Sequence, residues 1–374
     1  MRAHELFRTV TSLEALRGVR ARIDGRWLTL WCTNDYLGLS QHPQLIRAAS
    51  RAMTRWGVGA RASRLLAGST RLHEQLEDAL ADFFHTDSAA VFASGYLANL
   101  GAIPALVGRD DLILIDRLAH ASLIDACRLS RATLRVFHHQ DPEHVQALLA
   151  RYPARRRLIV TEGIFSMDGD AAPLRALRDV ARAAGAWLYL DDAHGAFAVG
   201  ATGRGSPEVA GVPHADVVYM ATLGKALGAQ GAFVAGSRRL IQLMHNRART
   251  FIYATSLACP VVAAACEGIR LVERHPRLRA QLAANSQRLV RALSKLGLVP
   301  PTQPVSHIVP VIVGSPRRAR DLAAHLWTRG LFAPAIRPPT VPEGTARIRV
   351  SVSAAHTASQ IAHLVDALQA WRAR

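Results

Sequence analysis

Lysine is almost absent from this chain of 374 residues: 44 of its 46 basic residues are arginine, and only Lys225 and Lys295 remain. Cysteine is scarce as well. Cys32, Cys127, Cys259 and Cys266 stand without CxxC spacing, which leaves a disulfide framework and a thiolate metal site without support. No apolar run is long enough to span a membrane, the longest lying around Leu257 to Cys266, and MRAHELFRTV has no apolar leader core. These absences lead us to expect a cytoplasmic protein with no metal and no membrane partner. Internal repeats and low-complexity tracts are missing too. What is present is a chain 50% hydrophobic and 20% charged, which excludes disorder and suffices for one large domain or two unequal ones.

A formal charge of +18 suits nucleic acid, a membrane surface or an acidic substrate. The arginines are dispersed and no nucleic-acid module is recognisable, so no nucleic-acid partner is expected. Three large enzyme classes also lack their signatures. There is no GxSxG elbow, no HExxH helix and no GxxxxGK[ST] loop, which removes the usual marks of serine hydrolases, zincins and P-loop NTPases.

From Ala89 onward short apolar runs (AAVFAS, DLILID, ATLRVFH, RLIVTEG, AWLYLDD, DVVYMAT, GAFVAG) alternate with helical patterns. That rhythm predicts an α/β fold around a mostly parallel central sheet. Leu72, Leu76, Leu80 and Phe83 form an amphipathic helical stripe ahead of it. After Pro260 the pattern changes to long Arg-rich helices, then SHIVPVIVG, a helix, RIRVSVS and a last helix. We therefore divide the chain into an N-terminal segment (1–42), a large sheet domain (43–257) and a smaller C-terminal α+β domain (258–374).

The chemistry-bearing residues fall at one kind of place. Ser94, His120, Glu162, Asp191 and Lys225 each lie at or just beyond the end of an expected strand, and the carboxyl ends of such strands form the ligand crevice of doubly wound sheets. Lys295 sits in LVRALSKLGL and reads as a solvated helix face. Lys225, among glycines in MATLGKALGAQG, does not. Only lysine can lose its proton and form a Schiff base, a task arginine cannot take over. Asp191 closes the strand AWLYLDD. A buried carboxylate there would keep the pyridine nitrogen of pyridoxal 5′-phosphate (PLP) protonated, making the ring an electron sink. As an isolated pair, Asp191 and Asp192 would read as a helix cap; with Lys225 two strands on, the cofactor reading prevails.

Other residues stay open between two readings. His194 is either a cofactor contact or a core histidine, and His120 either stacks on a cofactor ring or caps a helix. Ser94, Gly95 and Tyr96 form either a plain turn or a phosphate seat at a helix start, with Thr222 as a second phosphate donor. Ser166 lies in TEGIFSMDGD, beside a turn. Arg347 and Arg349 point to one face of a strand, where one of them clamps a carboxylate or both face solvent.

With these residues on view, nearly the whole chain resembles the PLP-dependent α-oxoamine synthases of aminotransferase fold type I. The likeness runs through NDYLGLSQHP, SRLLAGSTRLHEQLE, FASGYLAN, DRLAHASLIDA, TEGIFSMDGDAAPL, LDDAHGAFAVGATGRG, TLGKALGAQGAF, FIYATS and AIRPPTVPEGTARIRVSVSAAHT. It implies that Lys225 carries PLP, Asp191 contacts the pyridine nitrogen and His120 stacks on the ring. His194, Ser166 and Thr222 would be further cofactor contacts, and Gly95 and Tyr96 would hold the phosphate. Thr255 would reach the phosphate of a second subunit, making the active site a property of a homodimer. Arg349 would receive an amino-acid carboxylate, with Thr340 and Arg8 touching substrate. The loops RPPTVP and NDYLGLSQHP are most like the members that condense L-alanine with a pimeloyl thioester, on CoA or acyl carrier protein, with loss of CO2. Relatives that use glycine or serine, such as glycine C-acetyltransferases, are the alternative. A basic surface would steer either anionic carrier, on top of a background bias toward arginine.

Overall fold

The computed structural model describes residues 7–300 and 306–373. It divides into two compact units, one of residues 42–165 and 171–276, the other comprising the chain up to Gln41, Ser166–Asp170 and the residues from Arg277 onward.

The larger unit is built on seven strands, in the order Ser88–Phe92, Ala232–Gly236, Val218–Thr222, Trp187–Asp191, Arg157–Glu162, Leu112–Asp116 and Thr133–Phe137. Ala232–Gly236 runs antiparallel to both neighbours, and the remaining pairings are parallel, as expected. Strands such as LILID and VYMAT are buried along their whole length, because a parallel sheet covered on both faces calls for continuous apolar runs. The edge strand Thr133–Phe137 is partly exposed and more polar. The helix Gly95–Leu106 buries Ala98, Ala102, Ile103 and Leu106. Being apolar nearly all round, it belongs inside the unit.

The amphipathic stripe also forms as expected: the helix Arg71–Phe84 buries Leu76, Leu80 and Phe83. Phe84, next along, meets Phe197, Tyr219 and Phe233 with ring centroids 4.9–5.2 Å apart. Each such buried ring contributes roughly 1.5–3 kcal/mol to keeping helix and sheet together. Parallel strands bring their carboxyl ends to one edge, which gathers Glu162, Asp191 and Thr222 there.

In the smaller unit, the strands Arg20–Ile23 and Arg26–Leu30 form a hairpin. Its turn, Asp24-Gly25, has φ of 47° and 73°, the left-handed pair that a two-residue hairpin loop requires. Ala21, Ile23, Leu28 and Leu30 pack against Trp327 and Phe332, and Arg26–Leu30 pairs in parallel with Leu331–Phe332. The N-terminal segment is thus one body with C-terminal residues. A three-stranded antiparallel sheet has Ala346–Ser351 at its centre, between Ile308–Gly314 and Ala335–Ile336. Lys295 is exposed at the end of the helix Arg277–Lys295, as the solvated-face reading expects.

The division between units falls after residue 276, not near 257. Pro260 starts a helix, Cys259–Arg274, whose Val262, Ala265 and Ile269 are buried and which packs on the helices Pro43–Trp56 and Arg71–Phe84. The change of sequence character there marks a helix start within the larger unit. No helix among the described residues is long and apolar enough to cross a membrane.

Candidate active site

Lys225 lies in the loop between the strands Val218–Thr222 and Ala232–Gly236. The loop is held by its own backbone: Leu223 N donates to Gly231 O at 2.9 Å and Gly228 N to Lys225 O at 3.0 Å. The half-buried amine Nζ lies 2.8 Å from Nε2 of buried His194. His194 therefore brings its buried ring to Lys225, the one lysine not on a helix surface.

Asp191 is 5% exposed at the end of its strand. Its Oδ1 accepts from Ala193 N at 3.0 Å and its Oδ2 from Asn99 Nδ2 at 2.9 Å. Asn99 also donates to Ser122 Oγ at 2.9 Å, and Ser122 Oγ lies 2.8 Å from His120 Nδ1. His120 caps the helix Ala121–Ser130, accepting from Ser122 N, and its own amide donates to Glu162 Oε1 at 2.7 Å. Burial lowers the His120 pKa, opposed by the Asp191 carboxylate and assisted by Lys225. The ring is therefore a neutral flat surface at neutral pH. Neither Asn99 nor Ser122 was singled out from the sequence, although a lone amide within the apolar run GYLANLGAIPAL was a visible signal.

Asp192, beside Asp191, has a different setting. It is fully buried, accepts from Ser206 N, Ser206 Oγ and Tyr219 OH at 2.6–2.9 Å, and burial pushes its pKa up to about 7. The pair is thus split between a carboxylate at the strand end and one that ties the following loop to the sheet.

Gly95 and Tyr96 open the helix Gly95–Leu106, with Ser94 as N-cap accepting from Leu97 N at 3.2 Å. The Gly95 and Tyr96 amides find no acceptor among the described residues, so two donors at the positive end of a helix remain for an anion. A Cβ on Gly95 would meet nothing closer than Thr222 Cγ2 at 3.9 Å, so the protein itself leaves that space free and brings Gly95 beside Thr222. A half-buried lysine amine, a buried carboxylate, a neutral imidazole and a helix start with open space form the donor set that PLP requires at its aldehyde, ring nitrogen, ring face and phosphate. The residues fit the cofactor. Thr255 stands apart: it is exposed, bridges to Ser63 through the backbone, and its hydroxyl makes no hydrogen bond among the described residues.

The smaller unit holds the remaining candidates. Arg347 and Arg349 are buried at 2% and 9% exposure, against the solvent-facing reading. Arg347 is neutralised by Asp168 at 2.5 Å. Arg349 meets neutral groups: the Ser166 carbonyl, Ser351 Oγ at 2.9 Å, Tyr36 OH at 3.3 Å and Asn34 Oδ1 at 3.5 Å. Ser166 thus falls beside Arg349, through its carbonyl. Arg8 and Thr340 also come together, Arg8 Nη2 donating to Thr340 Oγ1 at 3.2 Å. One further group of possible ligands, His138, Asp141 and His144, lies at a helix start where Asp141 caps the helix by accepting from His144 N at 2.8 Å.

Fold and site together define a PLP-dependent transferase of fold type I. The chain belongs to the class I and II aminotransferase family, which matches residues 27–368, and within it to the 8-amino-7-oxononanoate synthases. An 8-amino-7-oxononanoate synthase from Anaeromyxobacter dehalogenans is 47% identical over 368 residues, 98% of this chain and 92% of the relative. Among solved structures, a serine palmitoyltransferase variant from S. paucimobilis with a bound PLP–myriocin aldimine superposes with a TM-score of 0.94 at 33% identity, covering 97% of this chain and 92% of that one. An 8-amino-7-oxononanoate synthase from Francisella tularensis gives 0.80 at 27% identity, covering 92% and 97%. The chain is a PLP-dependent acyltransferase.

Proposed function

We propose that the enzyme condenses L-alanine with a pimeloyl thioester, releasing CO2 and the free thiol, to form 8-amino-7-oxononanoate for biotin synthesis. The observation that carries this reading is the 47% identity, over almost the full length, to 8-amino-7-oxononanoate synthases, against 33% to the serine palmitoyltransferase. Bound PLP supplies an electron sink that acidifies the amino acid's α-carbon and accepts the electron pair left when CO2 departs.

The chain's own residues do the rest. Lys225 Nζ would hold the cofactor and act as the base for the α-proton of L-alanine, with His194 Nε2 at 2.8 Å as its hydrogen-bond partner. Asp191 would contact the pyridine nitrogen of bound PLP, and neutral His120 would offer its flat face to the ring. Gly95 and Tyr96 amides, Thr222 and Ser166 complete the cofactor contacts. Arg349, buried without a carboxylate partner among the described residues, receives the carboxylate of L-alanine. Arg8 and Thr340 contact substrate. Thr255 serves the phosphate of a second copy in a homodimer. Four free cysteines suit work in the reducing cytoplasm. The carrier is CoA or acyl carrier protein, both anionic and both suited to a chain of charge +18.

The test is the visible absorption of the purified enzyme, titrated separately with L-alanine, glycine and L-serine, then with pimeloyl-CoA and pimeloyl-acyl carrier protein, products being read by mass spectrometry. A yellow protein that responds selectively to L-alanine and yields 8-amino-7-oxononanoate is the expected result. A response chiefly to glycine or serine assigns it to a sister synthase, and a colourless protein that PLP cannot reconstitute overturns the reading.

A further inference from the structure

Asn99 lies in a helix that is otherwise apolar, 1% exposed, and its amide uses three hydrogen-bonding positions. Nδ2 donates to Asp191 Oδ2 and to Ser122 Oγ, both at 2.9 Å, and Oδ1 accepts from Tyr189 OH at 2.8 Å. The orientation follows from chemistry. An ionised Asp191 only accepts, so the group facing it must be the NH2. Ser122 Oγ accepts from Asn99, and because His120 Nδ1 accepts from the Ser122 amide, Oγ donates its own proton to that nitrogen. The Ser122 amide donates to the same nitrogen, at 3.2 Å. Nδ1 thus carries no proton, and neutral His120 holds its proton on Nε2.

We propose that Asn99 is a positioning residue of the cofactor site: it fixes the orientation of the Asp191 carboxylate and, through Ser122, ties it to His120. This rests on the assignment of Asp191 and His120 to PLP. Asp191 Oδ1 has the Ala193 amide, but Oδ2 has Asn99 as its one donor among the described residues. Without Asn99 that oxygen loses its donor and the carboxylate can turn away from the position it holds at the strand end, which loosens its contact with the cofactor. Tyr189, fully buried beneath Asn99, fixes the amide from behind.

The experiment follows PLP affinity by dialysis equilibrium and exchange of the L-alanine α-proton in D2O by NMR, with no thioester present. Asn99→Ala is expected to raise the Kd for PLP about 10-fold and to lower the exchange kcat about 10- to 100-fold, the size of losing a hydrogen bond to a charged group. The KM for L-alanine should stay within about twofold, since the amino acid does not touch Asn99.

Asn99→Asp keeps the shape and sets two carboxylates face to face, which then share a proton. The introduced carboxyl donates to Asp191 as the amide does only when protonated, so the ratio of the variant's exchange rate to that of wild type should rise as pH falls, a change that loss of packing does not produce. Tyr189→Phe, which leaves Asn99 in place, carries the same test with a smaller loss of about threefold should Asn99→Ala not fold. Variants with wild-type PLP affinity and exchange, or an Asn99→Asp profile parallel to wild type, overturn the inference alone. A wild-type protein that neither binds PLP nor exchanges the proton overturns the functional assignment and the inference with it.

Discussion

Arg347 and Arg349 stand two residues apart on one buried strand, yet Asp168 neutralises the first while the second, among the described residues, meets only uncharged groups. A buried guanidinium without a counter-charge is costly, and a ligand carboxylate relieves the cost. The two arginines should therefore separate stability from binding. Arg347→Ala removes a buried guanidinium together with its hydrogen bonds to Asp168 and to the Thr345 and Met167 carbonyls, and is expected to lower unfolding free energy by about 3 kcal/mol, with little change in the KM for L-alanine. Arg349→Ala should change stability by less than about 1 kcal/mol and lower kcat/KM for L-alanine at least about 100-fold. Denaturant titration and steady-state kinetics on both variants check this. Equal stability losses, or an unaffected KM and kcat in Arg349→Ala, would sink the assignment.

Gly95→Ala offers a cleaner probe of the phosphate seat. The added methyl meets protein atoms only at 3.9 Å, so the apoprotein should be about as stable as wild type. It enters the space left at the Gly95 and Tyr96 amides, so PLP should bind about 10-fold more weakly. Thermal melts of the apoprotein and a PLP titration separate the two effects; a destabilised apoprotein with unchanged PLP affinity argues against the seat.

Lys225→Ala should abolish turnover even where PLP remains bound by the other contacts. Borohydride reduction of the wild type followed by peptide mass mapping should place the PLP mass on Lys225, and on no other residue. Substantial turnover in Lys225→Ala, or a label on Lys295, would falsify the role of Lys225. His194, 2.8 Å from the amine, should retain turnover at a reduced rate when changed to Ala, because it orients the base and does not replace it.

The sequence made the sheet legible because its strands are continuous apolar runs that end in polar residues, and the site legible because those ends face one edge. Lys225 announced itself by the scarcity of lysine. What escaped was whatever depends on contacts between distant segments. Asn99 meets Asp191 across 92 positions, and nothing local says that an amide in an apolar helix faces a carboxylate. The N-terminal strands pair with Leu331–Phe332, a partnership no periodicity reveals. The burial of Arg347 was hidden for the same reason, since Asp168 lies 179 positions away. The helix start at Pro260 imitated a domain boundary because composition changes at both.

Two buried histidines away from the chemistry set an acid limit on stability. His356 stacks on Trp31 at 3.9 Å, accepts from Ser353 N at 2.9 Å and donates to Leu30 O at 3.0 Å, while His214 donates to Arg204 O at 3.0 Å. Burial pushes both pKa values down to about 4, against about 6.5 in the unfolded chain. Above pH 6.5 both states are neutral and the folded state has its full stability. As pH falls from about 6.5 to 4 the unfolded chain binds protons that the folded chain refuses, so stability declines, by up to roughly 3 kcal/mol per histidine, and levels off below. His356→Gln retains a donor and cannot titrate. Its unfolding midpoint in urea should fall less steeply between pH 7 and pH 5 than that of wild type, the difference amounting to about one proton. Parallel pH dependences in the two proteins would show that His356 does not set the limit.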